Sequence, residues 1–283
     1  MQRCETPAAL RAALAGRGGR VALVPTMGSL HAGHLRLVER AREAADVVVA
    51  SVFVNPLQFG RGEDYACYPR ALEADAAQLG QAGADVLFAP SVETIYPHGY
   101  PPATTVQLAG ELVDSLEGAH RPGHFTGVAT VVNILFNLVQ PAVAVLGEKD
   151  YQQLCVIRRM VADLGLAVEI LGQPTVRAAD GLALSSRNRY LGAVERAVAP
   201  RLYQALRALA ERLTAGQRDF TALERQAVAG LRTAGFAPDY VAVRDPQLRA
   251  PAERGPWVLL AAARLGGTRL LDCLRVGAPA VNG

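Results

Sequence analysis

The chain has 283 residues, of which 51% are hydrophobic and 19% charged, and its net charge is +3. That is enough apolar material for the core of one large or two modest domains, and it excludes general disorder. The small positive excess lacks the basic footprint of a nucleic-acid binder and suits an anionic small substrate. Four scattered cysteines, Cys4, Cys67, Cys155 and Cys273, form no CxxC pair. They read as reduced, partly buried thiols of a cytosolic protein, without a zinc cluster. The N-terminus has no apolar signal-peptide core, so a secretory signal is not expected.

In chain order, Val21–Pro25 is a short apolar run. Gly33–Ala45 reads as a helix, with Leu37, Val38, Ala41 and Ala45 on one face and Arg36, Glu39, Arg40 and Glu43 on the other. Val47–Val54 is the β-branched run expected of a strand buried on both faces of a parallel sheet. Leu72–Gly80 reads as a helix and Val86–Ala89 as a strand. No charge falls between Phe125 and Gly147, but Asn133, Asn137, Gln140 and Pro141 interrupt the stretch. It is too broken for a membrane span, which needs about 20 predominantly apolar residues. It predicts a buried helix through Val139, a turn at Gln140-Pro141 and a strand at Val143–Leu146. A helix at Tyr151–Leu164 and a strand at Val168–Leu171 follow. This alternation predicts a doubly wound α/β domain over Met1–Pro174, with ligands beyond the carboxyl ends of its strands. From Thr175 to Gly283 the pattern changes to helices at Glu195–Leu213 and Phe220–Ala234, then strands near Tyr240–Val243, Trp257–Ala263 and Arg269–Cys273. That predicts a smaller α+β domain.

Neither GxGxxG nor GxxxxGK[ST] occurs, so nucleotide binding needs another device. Pro25-Thr26-Met27-Gly28-Ser29-Leu30-His31-Ala32-Gly33-His34 follows the first strand and opens the first helix. A helix N-terminus presents unpaired N–H groups and a partial positive charge to an anion. His31 and His34 are three residues apart and can face one side of that helix. Gly33 between them lets backbone or ligand come close. Two imidazoles there can donate hydrogen bonds to phosphate oxygens and stabilise charge on a transferring phosphorus.

Five further motifs follow in order. They are Phe53-Val54-Asn55-Pro56-Leu57-Gln58-Phe59, Tyr68-Pro69-Arg70, Arg121-Pro122-Gly123-His124-Phe125, Gly147-Glu148-Lys149-Asp150-Tyr151-Gln152-Gln153-Leu154 and Asp180-Gly181-Leu182-Ala183-Leu184-Ser185-Ser186-Arg187-Asn188. Asn55 and Gln58 lie past a strand end, where neutral amides can both donate to and accept from hydroxyl and carboxylate groups. Asn55 can equally be an Asn-Pro turn former. Lys149 alone reads as a charged turn. Ser185-Ser186-Arg187 offers hydroxyls and a guanidinium able to bind phosphate bidentately. Asp75 and Gln78 stand three apart on a helix, either as Mg²⁺ ligands or as a solvated face, so no metal ligand is assigned. No contact is assigned to His120.

With HxGH the chain resembles the HxGH nucleotidyltransferase superfamily, and with the other motifs it resembles the pantothenate synthetase family over nearly its whole length. One departure is Leu57, where the family often has Met. The resemblance implies a Rossmann-like first domain with a lid domain after it. It implies that (R)-pantoate and ATP form pantoyl-adenylate, which β-alanine converts to pantothenate and AMP, with Mg²⁺ accompanying ATP. It implies catalytic roles for His31, His34, Lys149 and Arg187. The ATP contacts it implies are Met27, Gly28, Ser29, Leu30, His31, Ala32, Gly33, His34, Gly147, Glu148, Lys149, Asp150, Val176, Leu184, Ser185, Ser186 and Arg187. It implies that Gln58, Gln153 and Asn55 bind pantoate or β-alanine. Ser185–Arg187 would be a mobile loop closing on ATP. It also implies a cytoplasmic homodimer with small-molecule partners, and neither nucleic-acid nor membrane binding. Two alternatives remain at this stage: a nucleotidyltransferase acting on a phosphate ester, and a non-catalytic nucleotide-binding regulator.

Overall fold

The computed structural model describes residues 1–60 and 62–277. The chain forms two compact units. One is Met1–Gly147 with Val156–Pro174, and the other is Glu148–Cys155 with the chain from Thr175 onward.

The first unit carries six strands: β1 (Gln2–Cys4), β2 (Val21–Thr26), β3 (Val47–Val52), β4 (Val86–Phe88), β5 (Val143–Gly147) and β6 (Glu169–Gln173). All neighbours are parallel, in the order β1-β4-β3-β2-β5-β6. The chain runs outward from β2 to β4, then returns to the other side of β2 with β5. The carboxyl ends of β2 and β5 therefore flank the topological switch point, where open α/β sheets place ligands. Its main helices are α1 (Pro7–Leu14), α2 (Ala32–Ala44), α3 (Leu72–Gln81) and α4 (His124–Val139), and α5 (Tyr151–Asp163) begins in the second unit and ends in the first. Ala22, Val24, Val48, Ala50, Leu87, Val143 and Val145 form one core face with Leu37, Val38 and Ala41 of α2 and Leu79 of α3. The alternate positions Leu23, Val49, Val86, Ala144 and Leu146 are equally buried, because a strand points successive side chains to opposite faces. Helices α1 and α4 pack together, α1 against β4 and α4 against β2.

The uncharged stretch resolves as expected. Helix α4 is buried on most of its surface and ends at Gln140, whose φ is 52°, before β5 begins. Among the described residues no helix is long and apolar enough to cross a membrane. The strand expected at Val168–Leu171 is shifted to β6, and the run Val47–Val54 leaves the sheet after Val52. β1 and α1, which the sequence reading missed, add an edge strand and its return helix. α1 starts at a Thr6 cap, whose Oγ1 accepts from the Ala9 N–H at 3.2 Å.

The second unit has an antiparallel sheet of β7 (Ala237–Arg244), β8 (Trp257–Leu265) and β9 (Thr268–Val276), in that order. Helices α6 (Arg201–Thr214) and α7 (Phe220–Thr233) pack on it. Leu202, Leu206, Leu209 and Leu213 form the buried stripe of α6, each contributing about 2 kcal/mol relative to an exposed leucine. The single helix expected over Glu195–Leu213 is two, Ala193–Val198 and α6. Pro200 stands at the break because it has no N–H to donate.

Candidate active site

Met27–Leu30 is a tight loop between β2 and α2, at the switch point. Gly28 and Ser29 both have positive φ, 80° and 52°. A Cβ at Gly28 would stand 2.9 Å from Asp75 Oδ2 and 3.0 Å from Val52 Cγ1, so both the turn and the close approach demand glycine. Asp75, 1% exposed, accepts from the Ser29 N–H at 2.9 Å through Oδ2 and from the Leu30 N–H at 2.8 Å through Oδ1. From the other side, Thr26 Oγ1 accepts from the Gly28 N–H at 3.2 Å and donates to the Ser51 carbonyl at 2.8 Å. Asp75 therefore faces the loop's backbone. Of the two readings offered for it, metal ligand and solvated face, the structure supports neither.

His31 is the N-cap of α2. Its Nδ1 accepts from the Gly33 N–H at 3.1 Å, and His34 Nδ1 accepts from the His31 N–H at 3.3 Å. The rings stack with centroids 4.0 Å apart. This reciprocal cap uses imidazoles where serine and glutamate usually serve. An Nδ1 that accepts carries no proton, so each neutral ring bears its proton on Nε2. The cap thus turns both histidines into Nε2–H donors beside a helix N-terminus, a suitable arrangement for phosphate oxygens.

Asn55 and Gln58 belong to the one-turn 3₁₀ helix Pro56–Gln58 and its cap. Asn55 is 1% exposed and uses all its hydrogen-bonding capacity. Its Oδ1 accepts from the Leu57 N–H at 3.2 Å and the Tyr96 hydroxyl at 2.7 Å. Its Nδ2 donates to the Gly127 carbonyl and to Gln58 Oε1, both at 3.1 Å. Asn55 is therefore placed as a support for Gln58, with no donor or acceptor left for a substrate. Gln58 in turn directs Nε2 at the Met27 sulfur, 3.2 Å away, so two sequence-predicted residues meet. Burial pushes the Tyr96 phenol well above its ordinary range, so its hydroxyl stays a donor.

Three residues behind Gln58 escaped the sequence reading as individual contacts. Arg121 donates to Glu63 at 2.8 and 2.6 Å and to the Gln58 carbonyl at 3.2 Å. His124 Nδ1 donates to the same carbonyl at 2.9 Å, and its Nε2 accepts from Arg121 at 3.0 Å. Burial, reinforced by the Arg121 charge, lowers His124 to about 4 and keeps it neutral. Burial draws the Glu63 carboxyl upward, but its Arg121 bonds outweigh this and hold it below the ordinary range. Gly127 lets α4 approach: a Cβ there would stand 2.5 Å from the Leu57 carbonyl oxygen. A cavity of about 470 Å³ borders Gln58, Glu63, His120, Arg121 and His124.

The remaining predicted residues, apart from Gly147 at the end of β5, lie in the second unit. Glu148–Asp150 is a 3₁₀ turn leading into α5. Lys149 Nζ stands 3.4 Å from Asp150 Oδ1, and buried Glu148 accepts from Arg275 at 2.9 Å. Gln153, on the first turn of α5, is half-buried. Val176 and Leu184 are paired across a short hairpin, with the Leu184 N–H donating to the Val176 carbonyl at 3.0 Å. Ser185 caps the 3₁₀ helix Ser186–Tyr190, its Oγ accepting from the Arg187 N–H at 3.3 Å. Among the described residues no three His, Cys, Asp or Glu side chains cluster as metal ligands. None of the four cysteines is in a disulfide; Cys67 is exposed and the other three are buried.

A family model described as pantoate-beta-alanine ligase matches residues 2–275. The pantothenate synthetase of Thioalkalivibrio sulfidiphilus (strain HL-EbGR7) is 58% identical over 285 residues, covering 99% of each chain. That of Pseudomonas savastanoi pv. phaseolicola (strain 1448A / Race 6) is 54% identical over 281 residues, covering 98% of this chain and 99% of its own. The crystal structure of pantothenate synthetase from Thermus thermophilus matches with a TM-score of 0.91 at 53% identity, covering 97% of this chain and 99% of that one. Pantoate-beta-alanine ligase from Francisella tularensis, complexed with beta-gamma ATP and beta-alanine, matches with a TM-score of 0.82 at 32% identity, covering 99% of each.

Proposed function

The chain belongs to the pantoate-beta-alanine ligase family, and we propose that it condenses (R)-pantoate with β-alanine through a pantoyl-adenylate. A pantoate carboxylate oxygen attacks the α-phosphorus of ATP, the bond to the bridging oxygen breaks, and pyrophosphate leaves. The β-alanine nitrogen then attacks the activated carbonyl, loses a proton and expels AMP. Adenylation supplies the leaving group that a free carboxylate lacks. The rest is positioning and charge stabilisation.

The observation that carries this reading is the stacked histidine cap at the switch point, which presents two Nε2–H donors. His31 and His34 donate to ATP phosphate oxygens, where charge builds in the transition state. Lys149 and Arg187 offset the phosphate charge, and the Ser185 and Ser186 hydroxyls donate hydrogen bonds to phosphate oxygens. Gln58, held by Asn55, and Gln153 bind pantoate. The first unit is the ATP and pantoate domain and the second is the lid. No metal ligand is assigned, and Asp75, buried and accepting one backbone N–H on each oxygen, is read as a brace for the loop. A Mg²⁺ arriving with ATP would be held by phosphate oxygens and water. A cytoplasmic homodimer remains the family expectation.

Pantoate labelled with ¹⁸O in its carboxylate tests the route. It should pass one labelled oxygen to AMP, and labelled pyrophosphate should exchange into ATP when pantoate is present without β-alanine. Label appearing in inorganic phosphate, with ADP as by-product, would replace the adenylate by an acyl-phosphate.

A further inference from the structure

Two motifs read as phosphate-binding, Glu148–Asp150 and Ser185–Arg187, lie far apart in sequence yet pack against one strand. β9 contacts the 3₁₀ turn Glu148–Asp150 and the 3₁₀ helix Ser186–Tyr190. Among the described residues β9 pairs only with β8, at the edge of the sheet. Asp272 and Arg275, three apart, project to opposite faces of β9. Asp272, 3% exposed, accepts a bidentate pair from Arg177 at 2.7 and 2.8 Å. Arg177 also donates to the Cys273 carbonyl at 3.0 Å and the Gly181 carbonyl at 3.1 Å, and its guanidinium lies over the Tyr203 ring at 3.7 Å. On the other face Arg275 donates to Glu148 at 2.9 Å.

Arg177 is the residue after Val176, and it bridges to Ala183, two residues before Ser185. The hairpin stem that launches Ser185-Ser186-Arg187 is therefore clamped to β9. Asn188 tightens it further, its Nδ2 donating to the Ala183 carbonyl at 3.0 Å. Glu148 is the residue before Lys149, so the turn carrying that ammonium is clamped to the same strand.

We propose that Arg177, Asp272 and Arg275 are positioning residues: through β9 they fix Lys149 and Ser185–Arg187 in one register, so that both engage the phosphates of a single ATP. This rests on the reading of those two motifs as ATP groups. The phosphate loop expected to be mobile moves, on this view, only together with β9. The effect belongs to adenylation, since the second half-reaction forms no bond to phosphorus.

The test uses the full chain with two variants. Arg177→Met/Asp272→Leu removes the buried pair without stranding either charge, a replacement that buried pairs tolerate. Arg275→Met removes the half-exposed anchor. Pantoate-dependent exchange of pyrophosphate into ATP should fall by about 10- to 100-fold in the double variant, the scale of a 1 Å displacement of catalytic groups, and by less in Arg275→Met. Reaction of chemically prepared pantoyl-adenylate with β-alanine should keep its rate in both. No exchange by the unmodified chain would overturn the adenylation reading itself. Exchange in the unmodified chain, matched by folded variants, would overturn only the positioning inference. Equal loss in both half-reactions would do the same, because it would mean the anchors merely hold the fold. If thermal unfolding shows that the double variant does not fold, Arg275→Met decides alone by the same two rates.

Discussion

The role given to Asp75 separates two physical pictures of the switch-point loop. Asp75→Asn keeps the size of the side chain and one carbonyl oxygen. Its amide nitrogen must then face either the Ser29 or the Leu30 N–H, now bonded to the carboxylate at 2.9 and 2.8 Å. One charge-assisted bond is lost and one buried N–H is stranded opposite another donor. Together these cost about 2–4 kcal/mol, a large share of a net stability that is typically about 5–15 kcal/mol. At roughly 2–4 °C per kcal/mol for a unit of this size, the melting temperature should fall by about 10 °C. Adenylation should fall by about 100-fold as Gly28 and Ser29 relax and the His31–His34 pair shifts by about an ångström. The assay is thermal unfolding in EDTA without nucleotide, together with pyrophosphate exchange across a Mg²⁺ titration. A brace fails without metal and is not rescued by it. An unchanged melting temperature in EDTA, with exchange restored by excess Mg²⁺, would refute the brace and make Asp75 a metal ligand.

Two further outcomes follow from the same geometry. His124, lowered to about 4, stays neutral in the fold while an unfolded histidine protonates near 6.5, so the unfolded state binds the extra proton between those values and stability is lost as pH falls from about 6.5 to about 4. The loss should reach roughly 3 kcal/mol and should shrink in His124→Gln, as read by urea midpoints across that range; parallel pH profiles for the two proteins would show that His124 is not responsible. Gln58→Ala and Gln153→Ala should weaken pantoate binding far more than ATP binding, whereas Lys149→Ala and Arg187→Ala should act on ATP use; titrations giving the reverse pattern would exchange the two pockets.

Much of this arrangement was legible because its signals are local. The β-branched run at β3 and the uncharged α4 announce a two-face-buried sheet and a buried helix by composition alone. HxGH is legible because both imidazoles sit within one helical turn. β1 was not, since three residues are too few to show a period, and α1 was missed although Thr6-Pro7 is a helix-start signal. The supports of the site fall between these cases. Asp75 shares the buried stripe of α3 with Leu79, and Asp272 shares a strand face with Leu270 and Leu274. A carboxylate on an apolar stripe needs a partner, because an unpaired buried charge is among the most costly defects a fold can carry. Sequence periodicity can therefore flag such an acid, but it cannot locate the partner. Asp75 is answered by Ser29 and Leu30 across 46 and 45 positions, and Asp272 by Arg177 across 95. Such separations are closed only by the sheet topology, which brings distant strand ends and loops side by side. The residues proposed for the chemistry stand in short motifs, while the side chains that hold those motifs could only be read once β2, β5 and β9 had been placed.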